Sequence, residues 1–206
     1  VLAHTESGWA QALGGQPTTH ILKPQLGGEA STVIYDEEYG SRLARRMRLA
    51  DFSTTIADFA GRAALVIERF DRADGRRIHQ EDLSQALGAS GNEKYQEIGG
   101  VVSLRRVAEV LTRNAAADDL RRLARLVVFT VGIGNLDWHT KNIGLLHALD
   151  GGVSLAPAYD VVPQAHLPND GKLALAVNGR YRHGEITRRD LSSELASWGL
   201  RDAVRI

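Results

Sequence analysis

The chain has 206 residues, 43% of them hydrophobic, which is enough for one sizeable core or two small packed lobes. Lysine plus arginine equals aspartate plus glutamate at 25 each, so no net field attracts a nucleic acid or an anionic membrane. The lack of cysteine excludes disulfides, thiolate metal sites and a cysteine nucleophile, and is typical of a reducing cytoplasm. We therefore expect a cytoplasmic globular protein that does not bind nucleic acid strongly by itself and does not enter membranes.

The first seventy residues are predicted to form a β-rich unit with one helix. Residues 19–23 have a strand-like pattern, and the charged run of residues 35–48 favours a helix. Two further strands are predicted at residues 56–60 and 63–67. They flank Gly61-Arg62, which is typical of a hairpin connection.

From residue 79 onward, the sequence favours helices, because apolar residues recur with a period near 3.6. After Ser103, a typical N-cap residue, apolar residues occur at the helical spacing i, i+3, i+4, i+7, namely Leu104, Val107, Ala108 and Leu111. A second helix begins at Asp118 and has one apolar face that continues to Gly132. This helix leads into the loop with the most chemically active side chains.

After that loop the pattern returns to short strands. Residues 143–147 and 153–155 are predicted strands, joined by a Leu-Asp-Gly-Gly turn at residues 149–152. Residues 173–177 alternate as a further strand, and Thr187 is predicted to begin the last helix.

The loop of residues 132–142 is dense in groups that bind protons, phosphates or metals, and such crowding is costly unless it has a use. Asp137 and Asn142 have the separation of the aspartate and asparagine in the protein-kinase catalytic loop. There the aspartate takes up the proton of the substrate hydroxyl and the asparagine holds magnesium. The spacing by itself also fits an aspartate that only caps a loop.

Tyr159-Asp160 follows the predicted hairpin, which would fold Asp160 back beside Asn142. A carboxylate and an amide oxygen are hard ligands, and Mg²⁺ completes its shell with water and substrate phosphates. We therefore predict a magnesium site at Asn142 and Asp160. The alternative is that Asp160 is a turn residue.

Protein kinases also use a lysine on an early strand to hold phosphates and an acidic residue on the next helix to orient that lysine. Lys23 ends an early strand, and Glu37 lies in the predicted helix that follows, with Glu38 as a close rival. Residues 68–71, Glu-Arg-Phe-Asp, leave the β-rich unit where a kinase has the hinge that binds adenine. Phe70 equally fits a core residue at that junction.

Together these segments resemble the HipA family, serine/threonine kinases that are the toxins of bacterial toxin–antitoxin pairs. The resemblance covers most of the chain, in order, at residues 18–24, 68–72, 79–83, 94–95, 99–100, 137–142, 159–160 and 173–187. It implies a two-lobed α+β protein-kinase-like fold, partly shared with phosphoinositide kinases. Residues 1–72 would belong to the small lobe and residues 73–206 to a mainly helical large lobe.

The resemblance also implies roles for particular residues. Asp137 would be the general base, Asn142 and Asp160 would bind magnesium, and Lys23, paired with Glu37, would bind the phosphates of ATP. The residues implied at the nucleotide are Glu68, Arg69 and Phe70 at adenine, with His139, Lys141 and Tyr159 lining the pocket. The cofactors would be ATP and Mg²⁺, the substrate a protein such as an aminoacyl-tRNA synthetase, and the partner a small DNA-binding antitoxin similar to HipB.

The sequence departs from the family pattern before the lysine strand. Family members have a Gly-rich, serine-containing loop there, to which Gly14-Gly15 is a poor match. The first residue is Val1 and the sequence stops soon after Trp198, so we expect a fragment with weak or no activity. Two alternatives stay open: an inactive nucleotide-binding scaffold in an antitoxin–DNA complex, and a lipid kinase, because the loop also resembles that of phosphoinositide kinases.

Overall fold

The computed structural model describes residues 1–73 and 75–200. The strands are β1 (Ala3–Thr5), β2 (Gly8–Ala10), β3 (His20–Pro24), β4 (Thr54–Phe59), β5 (Arg62–Glu68), β6 (Arg72–Ala73), β7 (Arg76–Arg77), β8 (His79–Asp82), β9 (Gly144–His147), β10 (Val153–Leu155), β11 (Lys172–Val177) and β12 (Arg180–Arg182). The helices are α1 (Val33–Arg46), α2 (Leu83–Leu87), α3 (Leu104–Asn114), α4 (Ala117–Ile133) and α5 (Arg188–Ser197). Antiparallel pairing forms two three-stranded sheets, β3-β5-β4 and β8-β9-β10, and the hairpins β1-β2, β6-β7 and β11-β12.

The sheet β3-β5-β4 carries Lys23, which lies opposite Leu65 of the central strand. Residues 64–67 of β5 are apolar and buried, as expected for a central strand. Helix α1 packs against β4 and β5. The strand and the helix predicted to carry the phosphate-binding pair are therefore neighbours.

The turn between β4 and β5 lies one residue earlier than the sequence predicted. Phe59 pairs with Arg62, so the two turn residues are Ala60 and Gly61, whose φ angles are 55° and 84°. Two consecutive positive φ angles match the twist of strands joined by a two-residue turn. Alanine is not a residue type that signals a positive φ, which explains the error.

Helix α1 buries one face, formed by Ile34, Glu37, Gly40, Ser41 and Ala44. A Cβ atom added at Gly40 would collide with the main-chain oxygen of Val161. The absence of a side chain at this position therefore lets the helix lie directly against the segment that follows Asp160.

The two long helices predicted from the apolar period are confirmed. The hydroxyl of Ser103 accepts a hydrogen bond of 3.2 Å from the main-chain N–H of Arg106 and so caps α3. Helix α4 ends at Gly134, whose φ of 67° is the left-handed conformation that commonly terminates helices. The end of α4 fixes where the following loop, residues 135–142, begins.

The prediction of a helical pattern from residue 79 onward is wrong for its first residues. They form β8, which pairs with β9 in the second three-stranded sheet. β8 has the sequence His-Gln-Glu-Asp, without apolar alternation, so its conformation depends on pairing with a distant strand. The hairpin β1-β2 is likewise a short element that the sequence pattern did not predict.

One cluster of buried apolar side chains connects the two sheets with α3 and α4. Among its most buried members are Leu65, Leu83, Leu104, Leu111, Leu123 and Leu155. The segments that carry the candidate site are therefore anchored to a common core. No helix within residues 1–73 and 75–200 combines the length and apolar character needed to cross a membrane.

Candidate active site

Lys23 joins two carboxylates from distant parts of the chain. Its ammonium Nζ donates to both carboxylate oxygens of Glu37, at 2.8 and 2.9 Å, and to Oδ1 of Asp160 at 2.6 Å. Lys23 comes from β3, Glu37 from α1 and Asp160 from the segment after β10. The structure thus brings together three residues that the sequence analysis assigned to phosphate binding, lysine orientation and metal binding.

The positions of Glu37 and Glu38 on α1 show which of the two glutamates pairs with Lys23. The Glu37 side chain is 4% exposed and faces Lys23, whereas Glu38 pairs with Arg42 at 3.3 Å. Successive residues of a helix point about 100° apart, so only one of the two glutamates can face the lysine.

The charges of this triad influence one another. Burial lowers the pKa of the Lys23 ammonium, but the carboxylates of Glu37 and Asp160 outweigh burial and raise that pKa above its ordinary value. Burial raises the pKa of Glu37, and the Lys23 ammonium offsets only part of this effect. Lys23 is therefore held in its charged form, as the binding of phosphate requires.

Asp160 reaches the triad from a left-handed backbone conformation, with φ of 55°. This conformation costs a non-glycine residue on the order of 1 kcal/mol, and such strain is concentrated at functional sites. The flanking chain is held on both sides. The main-chain N–H of Ala158 donates to the oxygen of Leu49 at 2.8 Å, and Val161 lies against Gly40.

Asp137 is fixed by four hydrogen bonds, one of which is donated to its main-chain oxygen by the N–H of His139 at 2.9 Å. Its main-chain N–H donates to Oε1 of Gln164 at 2.9 Å, and its carboxylate Oδ1 accepts from the Tyr95 hydroxyl at 2.8 Å. Its main-chain oxygen accepts from Nδ2 of Asn142 at 3.1 Å. The bond from Asn142 closes the loop between the two residues, which explains physically why they are five positions apart.

The oxygen atoms of Asn142 and Asp160 suit a hard cation. The amide nitrogen of Asn142 is bonded to Asp137, so its Oδ1 remains to bind a cation, and both side chains line one cavity. Within the described part of the chain, no group of three or more histidine, aspartate or glutamate side chains could hold a metal. Two oxygen ligands from the protein fit Mg²⁺, because this ion takes the rest of its shell from water and phosphates.

The cavity has a volume of about 300 Å³, the lower end of the range for small-molecule sites. Its wall contains the predicted residues Lys23, Glu37, Glu68, Arg69, Phe70, Asn142, Tyr159 and Asp160. The Phe70 ring lies 5.3 Å from that of Phe52 and 5.6 Å from that of Tyr159, between ring centroids. The cavity wall thus combines aromatic rings with the charged group of Lys23 and its carboxylates.

The charged side chains of the predicted hinge form hydrogen bonds and ion pairs with other residues of the protein. The Glu68 carboxylate accepts from the main-chain N–H and the hydroxyl of Ser53, at 3.2 and 2.8 Å. Arg69 pairs with Asp71 at 2.6 Å. Burial raises the pKa of Asp71, but Arg69 and Arg72 outweigh burial and hold that pKa below its usual value. The main-chain N–H groups of Glu68 and Arg69 donate to the oxygens of Ser53 and Thr19, so a ligand in the cavity would meet the hinge mainly at Phe70.

His139 and Lys141 lie outside the wall of this cavity. His139 is buried, and its Nε2 lies 2.7 Å from Nζ of Lys94. Burial lowers the pKa of His139. The carboxylate of Asp137 opposes this effect and Lys94 supports it, and the pKa remains below its usual value, so we assign the neutral ring with Nε2 as acceptor. The main-chain oxygen of Lys141 accepts from the Tyr159 hydroxyl at 2.8 Å.

Tyr95 and Gln164 contact Asp137 but were not predicted to belong to the site. Burial raises the pKa of the Tyr95 hydroxyl to about 12, with the hydrogen bond to Asp137 acting in the same direction. Lys94-Tyr95 lies in one of the resembling segments, which is the only signal that the sequence offered. The contact itself joins residues 42 positions apart and arises only when the chain folds.

Comparisons with known proteins identify the family. A model of the HipA-like C-terminal domain matches residues 2–204. "Putative kinase Y4mE" of Sinorhizobium fredii is 36% identical over 185 residues, which cover 86% of this chain and 43% of that relative. "Serine/threonine-protein kinase toxin HipA" of Shewanella oneidensis is 28% identical over 213 residues, which cover 93% of this chain and 48% of that relative.

Solved structures agree in fold. HipA of Shewanella oneidensis MR-1, in a complex with HipB and operator DNA, matches with a TM-score of 0.85 and 25% identity, over 97% of this chain and 50% of that one. The Helicobacter pylori proinflammatory kinase CtkA matches in fold with a TM-score of 0.61 and 13% identity, over 95% of this chain and 78% of that one. The predicted α+β kinase-like fold is thus confirmed.

The chain spans about half the length of the HipA proteins that it matches. Within that span, the family model covers nearly every residue, and the names of both relatives describe a kinase. The chain therefore belongs to the HipA-like C-terminal domain family.

Proposed function

We propose that this chain carries the phosphotransfer site of an ATP- and Mg²⁺-dependent serine/threonine protein kinase of the HipA toxin type. The observation that carries the proposal is the triad of Lys23, Glu37 and Asp160. A strand lysine, oriented by a helix glutamate beside an aspartate that can bind metal, is the arrangement that kinase phosphotransfer requires. The kinase names of the relatives support the same conclusion.

The cavity beside the triad is the proposed nucleotide site. Lys23 would bind the α- and β-phosphates, for which its raised pKa keeps it charged. Adenine would pack against Phe70, and the main chain at Phe70 would supply its hydrogen bonds, because the N–H groups of Glu68 and Arg69 donate to Ser53 and Thr19. A wall with both aromatic rings and a lysine ammonium suits a ligand that joins a planar base to phosphates.

Asn142 and Asp160 are the proposed magnesium ligands. When bound, Mg²⁺ would neutralise charge on the phosphate oxygens during transfer. The chain prepares this site in advance. Asn142 is held by its bond to Asp137, and Asp160 by its bond to Lys23 and its constrained backbone.

Asp137 is the proposed general base. The hydroxyl oxygen of a serine or threonine would bond to the γ-phosphorus of ATP, while the bond from that phosphorus to the bridging oxygen breaks and ADP leaves. Asp137 would accept the hydroxyl proton. Because Tyr95 occupies Oδ1, the second carboxylate oxygen, Oδ2, is the one that would receive the proton.

The wider setting of the domain is also proposed from its relatives. We assign residues 1–72 to the small lobe and 73–206 to the large lobe, with the triad at their junction. The solved complex of HipA with HipB and operator DNA supports a small DNA-binding antitoxin as partner of the complete protein. The balanced charge of this chain suits a DNA contact made by that partner. An aminoacyl-tRNA synthetase is the protein substrate that the family resemblance implies.

The test is phosphate transfer from ATP to a serine-containing acceptor protein by the complete natural protein. Asp137→Asn should lower the transfer rate by about 10²-fold or more, because the base is lost, with unchanged affinity for ATP. Asp118→Asn, at an exposed position on α4, is the matched control and should transfer at the wild-type rate. Wild-type transfer by Asp137→Asn would contradict the assigned base. Absence of transfer by the wild-type protein would favour the scaffold alternative.

A further inference from the structure

A second cavity, of about 350 Å³, opens beside the candidate base. Asp137 and Tyr95 lie in its wall, whereas Lys23 and Asp160 lie in the wall of the nucleotide cavity. We call this second cavity the acceptor groove. Asp137 thus faces a binding space separate from the one proposed for the nucleotide.

The charges of the acceptor groove are unbalanced. Its charged side chains are Glu97, Asp137, Asp170 and Lys172. Nζ of Lys172 is engaged by both oxygens of Glu97, at 2.7 and 3.0 Å. Among the ion pairs of residues 1–73 and 75–200, none includes Asp137 or Asp170, although the charge of Asp170 also acts on Lys172. The groove therefore has three carboxylates and one cation. Carboxylates in a concave wall concentrate a negative field that attracts a cationic group.

The rest of the groove is largely apolar. Leu136 and Leu173 lie in its wall, together with Leu167 and Pro168. Ile98, also in the wall, is 46% exposed although it is a large apolar residue. An exposed apolar surface beside carboxylates suits a ligand with both an apolar and a cationic side chain.

The position of Asp170 is set by its own turn. Its Oδ1 accepts from the main-chain N–H of Lys172 at 3.0 Å, and Oδ1 of the preceding Asn169 accepts from Gly171 at 2.7 Å. The pair of Lys172 and Glu97 ties the start of β11 to the segment that carries Tyr95. The groove is therefore formed before a ligand arrives, which lowers the entropic cost of binding.

We propose that the acceptor groove binds the polypeptide segment that surrounds the phosphorylated hydroxyl. In this proposal, Asp170 selects a lysine or arginine, and Ile98 selects an apolar residue, near that hydroxyl. The proposal rests on the proposed kinase function and adds the chemistry of the acceptor. A peptide is the ligand of choice, because one short segment can present a hydroxyl, a cation and an apolar side chain together.

The experiment measures peptide binding without ATP, by methyl NMR of this chain. The probe is an octapeptide that contains serine, leucine and lysines, and its matched partner has glutamates in place of the lysines. The lysine peptide should shift the methyl resonances of Ile98 and Leu167. The glutamate peptide should bind at least about tenfold more weakly, because its charges meet those of Asp137 and Asp170.

Two aspartate variants provide a matched pair. Asp170→Asn removes the charge but keeps a side-chain oxygen for the turn, and it should weaken binding of the lysine peptide about fivefold. Asp150→Asn changes an aspartate whose Oδ1 accepts from Gly152 N–H in a similar turn outside the groove, and it should leave binding unchanged. Ile98→Ser should weaken the binding of the lysine peptide and of a peptide with arginines in place of the lysines, since the substitution removes an apolar contact.

Equal binding of the lysine and glutamate peptides, or equal effects of Asp170→Asn and Asp150→Asn, would overturn the proposal. The comparison of the two peptides needs only the wild-type chain, so it stands even if a variant fails to fold. Failure of the kinase function would be seen elsewhere, as a lack of magnesium-dependent ATP binding in the nucleotide cavity. The two failures are therefore distinguishable.

Discussion

The Tyr95 hydroxyl donates a hydrogen bond of 2.8 Å to Oδ1 of Asp137. In the proposed mechanism, this bond leaves Oδ2 as the carboxylate oxygen for the substrate hydroxyl. Tyr95→Phe keeps the ring and removes the bond. We expect turnover to fall about tenfold, since a hydrogen bond to a charged group contributes about 1.5–3 kcal/mol, with an unchanged KM for ATP. Steady-state kinetics of the complete protein check this.

The control for Tyr95→Phe is Tyr39→Phe, at a tyrosine on α1 that is 51% exposed. It should have wild-type turnover. If both variants lose turnover equally, or if only the KM for ATP changes, Tyr95 does not orient Asp137.

Glu37 and Glu38 form a second matched pair. Glu37→Gln should weaken ATP binding about tenfold, because the half-buried Lys23 loses one of its two carboxylates and its orientation. Glu38→Gln removes only a surface pair with Arg42, which is worth about 0–1 kcal/mol, and should bind ATP normally. Calorimetric titration of each variant with ATP and Mg²⁺ makes the comparison. Equal affinities in the two variants would remove Glu37 from the site.

Two helical glycines should respond to alanine in opposite ways. Gly40→Ala places a methyl group against the main-chain oxygen of Val161, so we expect a loss of about 1–3 kcal/mol of stability and weaker ATP binding. Gly132 lies in α4 with open space around its Cβ position. Gly132→Ala should therefore stabilise the protein by about 0.5–1 kcal/mol. Denaturant unfolding measures both, and a neutral Gly40→Ala would show that α1 does not need this close approach.

Asp190 should make the stability of the fold depend on pH. Hydrogen bonds from Thr187, followed by one from Asn178, hold the pKa of Asp190 below its usual 3.8. Because folding lowers the pKa of Asp190, the ionised carboxylate stabilises the fold at pH values above the unfolded pKa. This stabilisation is lost as the pH falls toward the folded pKa.

Asp190→Asn tests this linkage. The variant should melt at a lower temperature than the wild type at about pH 7, and the difference should shrink by about pH 3. Thermal unfolding at both pH values gives the comparison. A difference in melting temperature that does not depend on pH would mean that the carboxylate charge contributes nothing.

The sequence predicted those elements whose signals lie within a short stretch of residues. Helix α3 has an N-cap serine and a regular apolar period, and α4 ends at a glycine, so both were found. Strand β8 was not, because its four polar residues become a strand only through pairing with β9.

The residues of the candidate site also differ in whether a short sequence segment predicts them or only the fold brings them together. Asp137, Asn142 and Asp160 lie in short, chemically dense segments, and Lys23 and Glu37 follow from their order along the chain. Which glutamate faces Lys23 depends on the rotation of α1, and the contact of Tyr95 with Asp137 depends on folding across 42 positions. Neither can be inferred from local pattern.

The most direct test of the account is calorimetric titration of this chain with ATP, with and without Mg²⁺, beside Asp160→Ala and the exposed control Asp118→Ala. We predict binding that strengthens with Mg²⁺ in the wild type and the control, and no effect of Mg²⁺ in Asp160→Ala, because the carboxylate that would bind the metal is lost. Magnesium-dependent binding that survives in Asp160→Ala would contradict the proposed site.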